Sequence, residues 1–375
     1  MGRSRTLTRA ALASLVRERF PQKPPGAYLD TAAIGLVPRD VAVAVARCYE
    51  ALASGTHGAT QWRPVVERAT HALASEFGAP EDAISFMASA GEALNAIARA
   101  IPWRPGDEVL TLSGEFPTVT LPWSELGMGV RLIEIAPLPG DDRLGALLAA
   151  LGPRTRVVTV SHVSSFTGTV VDLDILGRAC ARVGALLVCD GAQSAGAIPV
   201  NLSQVDFYVA TGYKWLLAGF GTALVVSKPS SLGQLRPTLL GYGNQEPPPA
   251  LTYGHLNLAG VYALEAAAAV RRAVGLEAIH ARIAQLVRQV RAGALELGYS
   301  VAAAPERSAG IISLEGLPDA GAVVARLAAA GVSVAERAGY LRISPNFYTS
   351  ESEIAALLRA LEEARSDAPA HTDGA

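Results

Sequence analysis

An excess of charge of either sign is missing from this chain: 32 Lys and Arg stand against 34 Asp and Glu, a formal net charge of −2. That balance, with no block of like charge, gives no electrostatic footprint for nucleic acid or a membrane surface. Cysteine is scarce and odd in number, and Cys48, Cys180 and Cys189 lie far apart without metal-ligand spacing. A disulfide framework and a zinc site are therefore both disfavoured, and no metal is expected. No apolar run approaches the roughly 20 residues that a membrane helix needs. The basic N-terminus lacks the apolar centre of a secretion signal, and Leu7, Leu12, Leu15, Val16 and Phe20 instead mark one face of a helix. Its opening Met-Gly-Arg-Ser-Arg-Thr fits a loose myristoylation pattern that recurs by chance. Nucleotide-loop signatures are also lacking: the turn Gly219-Phe-Gly221 has no third glycine, and no Gly-Lys-Ser/Thr occurs. A cytoplasmic chain is expected, binding neither nucleic acid nor a membrane.

What is present is apolar mass: half of the 375 residues are hydrophobic, enough for one large core and a smaller one. Short runs rich in large or β-branched residues predict strands at 83–87, 108–112, 130–135, 156–161, 185–189 and 207–210. Helices are predicted at 41–52, 65–77, 143–151 and 174–183, with a Gly-rich loop at 54–63. This alternation is that of an α/β fold with a parallel sheet. Beyond residue 257, helices at 258–274, 276–297 and 320–330 and strands at 309–314 and 340–343 fit a small α/β domain. The expected division is 1–26, an N-terminal helix and linker packing with the small domain; 27–257, the large domain; 258–365, the small domain; and 366–375, a disordered tail.

The chemistry concentrates between Ala185 and Val226. One apolar run ends at Asp190, and the other is followed by Thr211-Gly-Tyr-Lys214. In an open parallel sheet the carboxyl ends of the strands form one rim, so an acid and an amine on neighbouring strand ends can face one ligand. That pairing suits pyridoxal phosphate. A lysine amine forms a Schiff base with the aldehyde, and a carboxylate beside the pyridine nitrogen keeps it protonated. Gln193 is placed to reach the ring's phenolic oxygen from the same loop. Taken singly, Asp190 reads equally as a turn cap and Lys214 as a solvated loop lysine. Small residues at the start of a predicted helix, Ala90 and Gly91, leave backbone N–H groups free for a phosphate, although capping by Ser89 explains them as well.

Taken together, Asp190-Gly-Ala-Gln193, Asp206-Phe-Tyr208 and Thr211-Gly-Tyr-Lys-Trp215 resemble the class V aminotransferase family of fold type I pyridoxal-phosphate enzymes. The likeness runs from Tyr28-Leu-Asp-Thr-Ala-Ala33 to the region of Arg342. It implies a large domain with a mostly parallel seven-stranded sheet flanked by helices, a small C-terminal α/β domain, and a homodimer. It further implies that Lys214 is the catalytic Schiff-base lysine, that Asp190 and Gln193 hold the cofactor ring, and that Phe116 stacks on it. Ala90 and Gly91 stand where the family has a Gly-Thr-Thr-Glu-like phosphate turn. Ser165 replaces a family asparagine, and Thr211 and Tyr213 replace the Ser and His of Ser-Gly-His-Lys. His255 falls where relatives carry a threonine belonging to the partner subunit's phosphate site. Arg342, with Arg337 in reserve, matches the arginine that grips the substrate carboxylate.

The resemblance is nearer the epimerase-like members than the desulfurases, because the loop 331–342 holds no cysteine to act as a sulfur nucleophile. Amino transfer on an amino acid or amine-bearing acid is the expected reaction; lyase and epimerase chemistry remain open. Two other classes also stay open. One is a pyridoxal-phosphate-binding protein without turnover, since several phosphate-contacting side chains depart from the pattern. The other is a serine hydrolase at Ser194, whose Ala-Gln-Ser-Ala-Gly setting is a near miss to a nucleophile elbow.

Overall fold

The computed structural model describes residues 8–139, 141–236, 238–245, 251–304 and 308–366. The opening Met1–Thr6 pattern, part of the Pro-rich loop after Gly241, and the expected tail beyond Ser366 lie outside them. In chain order the elements begin with α1 (Arg9–Arg19), β1 (Ala27–Tyr28), α2 (Arg39–Ala53), α3 (Ala59–Phe77), β2 (Ile84–Met87) and α4 (Ala90–Ala100). Next come β3 (Glu108–Leu112), α5 (Pro117–Ser124), β4 (Arg131–Ile135), α6 (Arg143–Ala150), β5 (Thr155–Ser161) and α7 (Leu173–Val183). They continue with β6 (Leu186–Asp190), β7 (Phe207–Thr211), β8 (Ala223–Ser227), α8 (Pro229–Leu232), α9 (Leu258–Val274) and α10 (Leu276–Glu296). The C-terminal part holds β9 (Ser300–Val301), β10 (Ile312–Glu315), α11 (Ala320–Ala329), β11 (Val332–Ser333), β12 (Ala335–Arg337), β13 (Tyr340–Ile343) and α12 (Glu351–Ser366).

Seven strands form one sheet in the order β2-β8-β7-β6-β5-β3-β4. All neighbours are parallel except β8, which runs antiparallel to both β2 and β7. Every residue of β6, β7 and β8 is buried, the mark of central strands covered by helices on both faces. A four-stranded antiparallel sheet, β12-β13-β10-β9, carries the smaller core. Among the described residues, no helix is long and apolar enough to cross a membrane.

Several expectations are corrected. The predicted loop 54–63 is helical from Ala59, because α3 runs through Pro64 and forgoes one backbone bond there. Helix α5 escaped notice because Pro117 and Pro122 and two threonines read as extended; Pro117 in fact opens it at the first turn, where no N–H is needed. Strand β8 and helix α12 were likewise not predicted. Helix α9, assigned by sequence to the small domain, packs on α2 and α3. Its Val261, Ala263, Leu264 and Ala267 belong to the core of the large sheet. We therefore propose Gly275, between α9 and α10, as the division. The N-terminal helix does lean on the smaller core, through Leu12, Leu15 and Val16.

One buried ion pair ties these layers to the chemistry. Arg271 on α9 is fully buried, and its Nε and Nη2 donate to Glu76 of α3 at 3.0 and 2.6 Å. Its Nη1 donates to the carbonyl of Leu216, two residues beyond Lys214. Leu217 next to it has φ +60°, a left-handed conformation that a non-glycine residue adopts only when its surroundings impose it. Arg271→Met would strand the Glu76 carboxylate in the interior, and is expected to cost about 3–5 kcal/mol in urea unfolding. Adding Glu76→Gln to it should recover a large part of that loss.

Candidate active site

Register places the site. Asp190, the last residue of β6, pairs with Val209 of β7 on one side and Ser161 of β5 on the other. Because β3, β5, β6 and β7 all run the same way, the segments leaving them share one rim: Phe116, the 162–169 loop, Asp190–Gln193, and Thr211–Lys214. Met87 and Thr211 both pair with Ala223 of β8, so the start of α4 reaches the same rim beside Thr211.

Lys214 is 9% exposed. Burial pushes its pKa down to about 8; Arg342 and Arg337 press the same way, while Asp190 and Asp30 oppose it. The rings of Phe116 and Tyr213 each lie 5.7 Å from its Nζ. Phe116 is 42% exposed, so it is an open aromatic face at the rim and not a core residue beneath a loop. The Lys214 backbone is clamped as well: Gly35 N–H donates to the Tyr213 carbonyl at 2.9 Å, and a Cβ on Gly35 would lie 2.0 Å from the Lys214 carbonyl oxygen. Only glycine permits that approach.

Asp190 is buried, and its Oδ1 accepts the Ala192 N–H at 2.7 Å. Burial raises its pKa, while that N–H and the Lys214 charge lower it. Gln193 donates from Nε2 to the Ala32 carbonyl at 3.0 Å and accepts from Trp215 Nε1 at 2.8 Å. Its orientation is thereby fixed, with one N–H of the amide left over.

At the start of α4, Ser89 caps the helix by accepting the Glu92 N–H at 3.0 Å, and the Glu92 side chain accepts the N–H of Ala88, the residue before the cap, at 2.7 Å. The N–H groups of Ala90 and Gly91 have no acceptor within the helix and carry its positive dipole end. The Thr211 side chain hydrogen-bonds the Tyr213 hydroxyl, and the Tyr213 ring stacks on Phe220 at 4.6 Å.

Ser165 is buried with its hydroxyl unpartnered, and its carbonyl accepts from Nη1 of Arg342 at 3.1 Å. Arg342, on β13 of the small sheet, is buried too; its Nη2 donates to Asp30 at 3.3 Å and its Nε has no partner. His255 is not joined to this group. Among the described residues it makes no hydrogen bond or ion pair, and its exposed ring packs edge-on to Tyr242 at 5.1 Å. Its nearness to the rim is through Tyr253, whose hydroxyl donates to Glu92 at 2.9 Å.

The hydrolase reading is set aside by the geometry. Ser194 is fully buried, and its hydroxyl is occupied by the Tyr208 hydroxyl at 2.7 Å, with no imidazole in contact. His162 is a buried neutral histidine, its pKa pushed down to about 4 by burial. All three cysteines are buried, and burial raises each thiol, Cys180 to about 12. None is poised as a thiolate. A cavity of about 830 Å³ between α1 and α10 contains none of the site residues.

Sequence reasoning did not assign roles to Asp30, Glu115 or Trp215. Asp30 stood in the quoted segment Tyr28–Ala33, but its ion pair spans 312 positions. Glu115, the residue before Phe116, is buried and is held by the Ser161 N–H and by Arg143.

The family described as Aminotransferase class-V matches residues 27–357. A probable cysteine desulfurase of Methanothermobacter thermautotrophicus is 28% identical over 93% of this chain and 97% of its own. An isopenicillin N epimerase of Streptomyces clavuligerus is 28% identical over 79% of this chain and 83% of its own. Among solved structures, the apo cysteine desulfurase of Thermococcus onnurineus NA1 superposes with a TM-score of 0.84 at 25% identity, covering 93% of this chain and 97% of that one. The chain belongs to the class V aminotransferase family, and pyridoxal phosphate is its cofactor. The residues present fit that group: a buried amine facing a buried carboxylate, an open aromatic face, free helix-start amides, and an unpartnered buried hydroxyl at Ser165.

In protein freed of cofactor, acylation of Lys214 followed by peptide mapping should rise with a midpoint near pH 8, against ~10.4 for an ordinary lysine. Asp190→Asn removes a charge that holds the proton on, so its midpoint should fall further.

Proposed function

We propose that this chain is a pyridoxal-phosphate enzyme that moves the α-proton of an amino acid, with amino transfer as the outcome. The observation that carries this is that Lys214 is the one buried lysine of only three, and that the groups acting on its amine among the described residues are two aromatic rings, two carboxylates and two guanidiniums. Lys23 is paired with Glu353, and Lys228 is exposed.

When bound, pyridoxal phosphate supplies an aldehyde that condenses with amines and a protonated ring that withdraws electrons from the substrate's α-carbon. Asp190 would hold the proton on the ring nitrogen, Phe116 would cover the ring face, and the remaining Gln193 N–H would meet the phenolic oxygen. The amides of Ala90 and Gly91 with the hydroxyls of Thr211 and Tyr213 would take the phosphate. Arg342 binds the substrate carboxylate, with Ser165 beside it. Lys214, whose proton burial makes easier to lose than that of an ordinary lysine, would remove the α-proton and return it on the same face. A proton that leaves the α-carbon and is delivered, from the same side, to the carbon across the amine nitrogen would need a single base, which is what this site offers. Epimerisation needs a donor on the opposite face as well; it is the second reading, favoured by the epimerase relative. Desulfuration needs a reactive thiolate, and the three buried cysteines argue against it.

We further propose a cytoplasmic homodimer. Leu240 is 76% and Phe220 67% exposed, and Tyr49 and Tyr242 are open as well, large apolar side chains that a second copy would cover. His255 would then serve the partner's phosphate site.

The holoenzyme should show a visible absorption band that borohydride bleaches and that Lys214→Ala lacks, with turnover lost by at least about 100-fold. Phe116→Ala should weaken cofactor affinity by roughly tenfold or less. An amino acid that shifts the band, with reversal by a 2-oxo acid, supports amino transfer. Inversion at the α-carbon without that shift indicates epimerisation, persulfide formation from cysteine indicates a desulfurase, and no response to any amino acid indicates an inert binder.

A further inference from the structure

Arg342 carries its own counter-ion. Asp30 follows β1, and its backbone is stitched to β13 two residues beyond Arg342: Thr31 N–H donates to the Ser344 carbonyl at 3.2 Å, and Ser344 N–H donates to the Leu29 carbonyl at 2.6 Å. The Ala32 N–H donates to the Ser344 hydroxyl at 2.9 Å. Asp30 therefore cannot back away from the guanidinium. Nor can Arg342 swing out, since the Ser165 carbonyl holds its Nη1 and it is 3% exposed. A ligand carboxylate arriving at the free Nε edge must share one guanidinium with a carboxylate already fixed there.

We propose that Asp30 competes with the substrate's carboxylate for Arg342, so that a monocarboxylate enters the site together with one proton that settles on Asp30. The inference rests on the reading of Arg342 as the carboxylate anchor. The charged and titratable groups facing Asp30 are Arg342, Arg337, Lys214 and Tyr28, and the Ala33 N–H, which donates to the Asp30 carbonyl at 3.1 Å, favours its ionised form. Burial already raises the Asp30 pKa, with the Arg342 charge opposing it. A second carboxylate on Arg342 both divides that opposition and adds repulsion, so proton uptake is the outcome that balances charge. The Asp30 side chain is 18% exposed, enough for a proton to reach it from water. Asp30 is thus a specificity-determining residue: it disfavours anions at high pH and admits them as the pH falls.

The test is calorimetric titration of the holoenzyme with propionate, a carboxylate without an amine, at pH 6 and pH 8 in buffers of different protonation enthalpy. Above the Asp30 pKa, uptake should approach one proton per propionate, with affinity falling by up to about tenfold per pH unit. Asp30→Asn, which keeps a hydrogen-bond acceptor but no charge, should bind propionate more tightly at pH 8, by roughly tenfold, and take up no proton. Equal or weaker binding by Asp30→Asn overturns the proposal. So does uptake that persists in that variant with a change in the visible band, which assigns the proton to the Lys214 centre. Should Asp30→Asn fail to fold, the wild-type count decides alone, and zero protons overturns the proposal. Undiminished propionate binding by Arg342→Ala would contradict the Arg342 reading itself, a distinct failure from the loss of Asp30's role.

Discussion

Parallel pairing of β6 with β7 is the constraint from which the site follows. It brings the last residue of one strand, Asp190, level with the residues that lead to Lys214 on the next. Both strands are buried along their whole length, so an amine and a carboxylate are drawn out of water together. Neither would be stable there alone. Their mutual charge offsets part of the cost, and the rest leaves an amine poised near neutrality beside an acid.

The two sheets meet at this rim through the segment after β1. Ala32 accepts from Gln193, Gly35 donates to Tyr213, and Asp30 pairs with Arg342 of the small sheet. The residue proposed to grip the substrate thus belongs to one sheet and the residue proposed to take its proton follows a strand of the other, joined by a short stretch of mostly small side chains. Arg271 anchors the far side of the Lys214 turn to α9 and α3. The position of Lys214 is consequently fixed from two directions.

Much of this was legible in the chain because strands buried on both faces announce themselves as short apolar runs closed by turn residues. The Asp190 and Lys214 pair could be placed from that pattern alone, and β3 and β13 match their expected bounds. Failures came where local chemistry misleads: Pro64 and Pro122 lie inside helices, and α9 carries no mark of which core it covers. Partners far apart in sequence were equally invisible, since neither Asp30 with Arg342 nor Arg271 with Glu76 has any spacing to betray it. Gln193 was expected at the cofactor's oxygen, and the geometry adds that Trp215 and Ala32 orient it. At the two departures from the family pattern, the Tyr213 ring stacks on Phe220 and the His255 ring lies against Tyr242.

The account stands on a covalent tether at a single amine. With only three lysines in the chain, peptide mapping resolves it without ambiguity. Mass spectrometry of the reduced, digested holoenzyme is predicted to find the pyridoxyl group on Lys214 alone. A label on Lys23 or Lys228, or cofactor that washes away unreduced and unreducible, would contradict it.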